Sequence, residues 1–107
     1  MTNLIQTFAA LADETRFAMV ERMLKEGELP AGDLVAHAKM TAPAVSRHLK
    51  VLRKAGMIHQ RVDGTRRLYS VRPEALQAIS GWTINHRTFW ETSLDRLSVV
   101  LAQDEET

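Results

Sequence analysis

The chain has 107 residues, 45% of them hydrophobic and 25% charged, which is the size and composition of one globular domain. It contains no cysteine, which excludes disulfides, thiolate metal sites, cysteine nucleophiles and thiol redox sensing, and which fits a reducing cytosol. The net charge of +1 hides a segregation: residues 1–40 carry four Lys/Arg against six Asp/Glu, residues 41–72 eight against one, and residues 73–107 two against six. A basic middle third between acidic flanks attracts polyanions through phosphate contacts and counterion release. No apolar run approaches the ~20 residues that span a membrane, and no basic n-region precedes the first apolar stretch, so neither an anchor nor a signal peptide is expected.

Leu4, Ile5, Phe8 and Leu11 recur at helical spacing and predict a first amphipathic helix. Asp13 is placed to cap a second helix, with Phe17, Val20 and Leu24 on one face and Gly27 stopping it. Leu29-Pro30 opens a short third helix over about Ala31 to Ala38, with Leu34 and Val35 inward. Lys39-Met40-Thr41 is a three-residue break in which Thr41 is the next N-cap, with Pro43 in the following first turn. The fourth helix runs to about Ala55 and points Val45, Leu49 and Leu52 inward. Its other faces carry Ser46, Arg47, His48, Lys50, Arg53 and Lys54. Two helices joined by a tight turn, the second strongly basic, form the helix-turn-helix pattern.

Met57 to Val62 then reads as a strand, Asp63-Gly64 as a type I′ hairpin turn, and Thr65 to Val71 as the return strand; the register stays open. Tyr69 is expected to pack the hairpin. Pro73 starts the last helical region, which Gly81 is expected to break or kink. From Trp82 onward an apolar stripe follows, ending in an acidic tail. The reading is a mainly α domain with a small β-hairpin, about five helices plus a two-stranded wing. It assigns residues 1–102 to one DNA-binding and dimerising domain and 103–107 to the tail.

Three stretches, LADETRFAMVERM, TAPAVSRHLKVLRKAGMI and DGTRRLYSV, resemble the ArsR/SmtB family of winged helix repressors, and the resemblance extends over about residues 4–101. It implies a homodimeric, cytoplasmic transcriptional repressor acting on duplex DNA. Metal sensors of that family often carry Glu-Leu-Cys-x-Cys-Asp-Leu, where this chain has Glu28-Leu29-Pro30-Ala31-Gly32-Asp33-Leu34. Pro30 and Gly32 have no side-chain metal ligand. The family's other metal site draws on the last helices, where this chain offers His86, Glu91 and Asp95. His86 and Glu91 lie five residues apart, a poor spacing for one helix face. No metal or other cofactor is expected. Trp82, Phe89-Trp90 and Leu94-Asp95-Arg96-Leu97 resemble a cysteine-free subgroup of autorepressors and non-metal regulators.

The N-terminal half of the second helix of such a motif meets base edges in the major groove. Arg47 is placed to bond guanine, Ala42 and Ala44 to pack on thymine methyls, and His48 either to meet a base or to serve as a structural histidine. Thr41, Ser46 and Lys50 suit phosphates, which orient rather than specify. Arg66 and Arg67, just past the wing tip, suit an adjacent minor groove or its phosphates. Leu4, Phe8, Trp82, His86, Phe89, Trp90, Leu94, Leu97 and Leu101 are the expected dimer surface, which would bring two reading helices to half-sites of a pseudo-palindromic operator about 34–36 Å apart. The alternatives are a metal- or ligand-responsive sensor and a protein-interaction module that has lost DNA binding. No enzyme is expected: there is no Gly-rich phosphate loop or paired carboxylate site, and Ser46 and His48, two apart on a helix, diverge.

Overall fold

The computed structural model describes residues 3–106. Six helices and three strands follow in the order α1 (Leu4–Leu11), α2 (Glu14–Glu26), β1 (Leu29–Pro30), α3 (Ala31–Ala36), α4 (Ala42–Lys54), β2 (Ile58–Asp63), β3 (Arg66–Val71), α5 (Pro73–Asn85) and α6 (Arg87–Glu106). This is a winged helix-turn-helix, with α3 and α4 as the motif and the β2–β3 hairpin as the wing.

Local chemistry fixes the helix starts. The side chains of Asn3, Asp13 and Thr41 accept from the backbone N–H groups of Gln6, Arg16 and Ala44, filling orphan donors at the starts of α1, α2 and α4. The core forms where α2, α3, α4 and the sheet converge, around Met19, Val20, Met23, Leu34, Leu49 and Ile58. Val45, Leu52 and Met57 are fully buried at its centre. Among the described residues no buried side-chain polar atom lacks a hydrogen-bond partner.

The sheet departs from the expected two strands. Leu29-Pro30 is a short strand rather than a helix opening, paired antiparallel so that Leu29 faces Tyr69 and Pro30 faces Leu68, giving the order β1-β3-β2. Pro30 is tolerated because it stands in an edge strand. The wing register pairs Asp63 with Arg66. The turn is therefore Gly64-Thr65, not Asp63-Gly64, and only Gly64 takes a positive φ, +64°. One left-handed residue in first position is the requirement of a type II′ turn rather than type I′.

Helix limits and faces are corrected too. α3 ends at Ala36 instead of Ala38, so five residues, 37–41, separate it from α4. α5 passes through Gly81 without a break, since one helical glycine costs only about 1 kcal/mol relative to alanine. The interruption falls at His86 (φ −107°, ψ 25°), whose Nδ1–H reaches the Trp82 carbonyl at 2.7 Å. α6 continues to Glu106, so residues 103–106 of the expected tail are helical, and Thr107 lies outside the described residues. On α2 the buried side chains are Met19, Val20 and Met23, whereas Phe17 and Leu24, expected inward, are 49% and 51% exposed. On α1 it is Thr7 and Ala10 that are buried, with Ile5 and Phe8 outward.

α5 leaves the domain and α6 carries it onward. The radius of gyration is 18.7 Å and the long dimension 64 Å, against about 13 Å for the radius of a compact chain of this length.

Replacing Leu52, the fully buried centre of the α4 inner face, should cost the most of any α4 truncation. Leu52→Ala is expected to lower unfolding free energy by about 2–5 kcal/mol. Urea denaturation followed by circular dichroism measures it, with the midpoint falling and the slope unchanged.

Candidate nucleic-acid interface

α4 has two unlike faces because its sequence has two periodicities. Val45, Leu49 and Leu52 lock into the core at 0%, 3% and 0% exposure. Thr41, Ala42, Ser46, Arg47 and Lys50, all named from the sequence, stand exposed on the outward side, joined by Pro43, Arg53 and Lys54. Ala44 is half-buried on the flank. Thr41 also has a structural duty: its Oγ1 accepts from the Ala44 N–H at 3.3 Å.

His48 lies in a different setting from the reading residues. Its ring is half-buried and turned to the start of α2, where the Arg16 guanidinium donates to Nδ1 at 3.3 Å and Asp13 Oδ1 stands 4.0 Å away. Arg16 also donates from Nε to the Ala10 carbonyl at 2.7 Å and from its other guanidine nitrogen to the Ala9 carbonyl at 3.4 Å. One side chain thus ties the end of α1, the start of α2 and the middle of α4. The Arg16 backbone N–H, reinforced by the charges of Arg16 and His48, holds the Asp13 carboxyl below the usual carboxylate range. Arg22 does the same for α3, spanning Glu26 at 3.0 Å and Asp33 at 2.9 Å; those two carboxylates raise its own pKa. Sequence reasoning missed both arginines. The Asp-x-x-Arg spacing across the start of α2 was the available signal.

The wing presents Arg66 and Arg67 exposed, beside the Gly64-Thr65 turn. Neither forms an ion pair among the described residues. Arg61 is committed elsewhere: it grips Glu28 through two bonds of 2.6 and 3.1 Å, bracing β2 to the residue before β1. That grip draws the Glu28 pKa down and raises that of Arg61. Tyr69 is buried in the wing base, as its packing role required. Lys50, Arg53 and Lys54 face His59, Gln60 and Arg72 across an open cleft of about 500 Å³ between α4 and β2. His59 and Arg72 were not singled out from the sequence, because their contribution arises only once β2 is laid beside α4.

The expected dimer residues fall on a separate surface. Leu4 is half-buried, while Phe8, Trp82, His86, Phe89, Trp90, Leu94, Leu97 and Leu101 are exposed. Phe8 packs edge-on against Trp82 with ring centroids 5.7 Å apart, and Trp82 lies 4.8 Å from the His86 ring. Pro30 and Gly32 stand where thiolate sensors carry cysteines. Among the described residues no three His, Asp or Glu side chains gather as a metal site would require. No helix of the described residues is long and apolar enough to cross a membrane.

A packed helix-turn-helix with an outward basic reading helix and a braced basic wing defines a DNA-binding transcription regulator, a class without catalytic machinery. The model of the arsR family of bacterial regulatory proteins matches residues 13–60. The HTH-type transcriptional regulator Rv2034 of Mycobacterium tuberculosis is 46% identical over 74 residues, 69% of this chain and 68% of that protein. The transcriptional repressor SdpR of Bacillus subtilis is 33% identical over 73% of this chain and 86% of its own. A solved ArsR family transcriptional regulator superposes with a TM-score of 0.74 at 30% identity, covering 82% of this chain and 96% of the other. The chain belongs to the ArsR family.

Acid should loosen the knot around Asp13 and the brace at Glu28. Both carboxyls have folded pKa values below their unfolded ones, so their stabilisation is complete above the unfolded carboxylate range of about 4 and is lost as pH falls through the folded values. Thermal midpoints are expected to decline below about pH 4. Asp13→Asn, which keeps a cap acceptor, should flatten only part of that decline, with Glu28 supplying the remainder.

Proposed function

We propose that the protein is a homodimeric transcriptional repressor that binds a pseudo-palindromic operator in duplex DNA through paired α4 helices and wings, and that it acts in the cytoplasm. The observation that carries the reading is the α4 helix itself, with its inner face locked in the core and Arg47, Ser46 and Lys50 held outward together. Rigid placement matters because base readout is a matter of matching donors to fixed positions in the major groove.

In this reading Arg47 bonds a guanine edge, while Ala42 and Ala44 meet thymine methyls from the first turns. Thr41, Ser46 and Lys50 hold phosphates and set the register. Arg66 and Arg67 enter the neighbouring minor groove or clasp its backbone. His48 acts behind the reading face, orienting α4 through Arg16. Residues 1–102 serve as a single reading and dimerising unit.

Dimerisation rests on the terminal helices, where Phe8, Trp82, Phe89 and Trp90 offer large aromatic anchors of the kind that dominate interfaces. Repression is supported by the names of relatives: SdpR, and the arsenical resistance operon repressor of Escherichia coli, 39% identical over 64% of this chain. With Pro30 and Gly32 in place of thiolates, the reading includes no metal at that position.

Arg47→Ala is expected to weaken operator binding by about 1–3 kcal/mol and to relax preference at one base position per half-site. Arg66→Ala and Arg67→Ala should each weaken operator and unrelated DNA alike and lower the steepness of the log–log salt dependence by about one. Fluorescence anisotropy over a salt series with operator and scrambled duplexes separates the two classes. Equal affinity of the unaltered protein for both duplexes would contradict the repressor reading.

A further inference from the structure

Two apolar surfaces of this chain have no partner within it. One is on α6, where Trp90, Leu94, Leu97 and Leu101 follow at spacings of four, three and four residues and are all exposed. That is the repeat of a helix seating one stripe against another surface. The other is a cleft of about 270 Å³ lined by Leu11, Phe17, Val20, Leu24, Met57 and Leu76. Phe17 and Leu24, on its α2 wall, are half exposed, more than a finished core would leave.

The arm of the same chain leads away from this cleft. Only His86 separates α5 from α6, and the Trp90 N–H bonds to the His86 carbonyl at 3.2 Å, so the helical path runs onward. Reversal into an antiparallel pair takes a connection of about 2–5 residues. The 64 Å length of the molecule is the consequence. A second copy can cover what the first cannot: under two-fold symmetry each arm enters the other's cleft, and both stripes and both clefts close at once. Charges agree with this. Glu21 and Lys25 line the cleft, and Asp95 and Arg96 sit beside the stripe. None of the four forms an ion pair among the described residues.

We propose that α6 is an exchanged arm, seated in the cleft between α2 and α5 of the second subunit. This rests on the dimer reading above and adds to it a surface, Phe17, Leu24 and Leu76, outside the terminal helices' own stripe. The surface lies on α2, the helix whose Arg16 and Arg22 hold α4 and α3. The arm therefore bears on the element from which the reading motif hangs, and its seating sets the separation of the two α4 helices.

The absence of native cysteine makes disulfide trapping unambiguous. Leu24→Cys is combined in the full chain with Trp90→Cys, Leu94→Cys, Leu97→Cys or Leu101→Cys, and each double variant is oxidised and run on denaturing gels without reductant beside its single variants. A dimer-sized product in at least one double variant, well above either single variant, is the expected result. A cross-linked product of monomer size alone would mean that the arm serves its own cleft, and would overturn the proposal. No cross-link in any pairing, with sedimentation still giving a dimer, would overturn the arm exchange and leave the dimer standing. A monomer in sedimentation would overturn both. A separate variant, Phe17→Glu with Leu24→Glu, alters only half-exposed positions and should keep its circular dichroism spectrum while the dimer Kd rises at least about tenfold; an unchanged Kd would contradict the exchange.

Discussion

Everything this protein presents to DNA depends on the burial of one stripe of α4. Val45, Leu49 and Leu52 are essentially without solvent contact, so the helix has neither rotational nor sliding freedom, and its opposite stripe inherits that rigidity. Reading a base edge requires donors placed to within a fraction of an ångström, and a helix on a loose seat would supply charge without discrimination. The polar fastenings serve the same end. Arg16 ties α4 through His48 to the ends of α1 and α2, and Arg22 ties α3 to α2.

Two arginines of the basic middle third illustrate how charge divides between structure and function. Arg61 is spent on Glu28 and holds the wing against the body. Arg66 and Arg67, five and six residues further on, stay exposed at the turn. The sequence shows three equivalent cations in the hairpin; pairing with a carboxylate 33 residues away separates them. The same holds along α4, where His48 turns inward to Arg16 while its neighbour Arg47 faces out.

Elements with one strong periodicity were legible. The inner face of α4, the caps at Asp13 and Thr41 and the hairpin position each follow from local chemistry, and the structure has them where the residues predict. What was not legible depends on distant partners. Leu29-Pro30 becomes a strand only because β3 lies beside it. The inner face of α2 is Met19, Val20 and Met23, and the larger Phe17 and Leu24 competed with it for the same pattern. Gly81 invited a break that backbone hydrogen bonding carries through, and the break falls at His86 instead. Within the site the basic face was readable from composition and spacing. The roles of Arg16, His59 and Arg72 were not, since each acquires its neighbours from another element.

The central claim is that a two-fold pair of α4 helices reads two half-sites. The most direct measurement is selection of bound duplexes from a random pool at about 150 mM salt, where non-specific contacts weaken, with the stoichiometry of the retained complexes measured alongside. The account predicts an enriched pseudo-palindrome, with half-site centres about one helical turn apart and two protein chains per duplex. Enrichment of a single unrepeated half-site bound by one chain, or no enrichment at all, would contradict it.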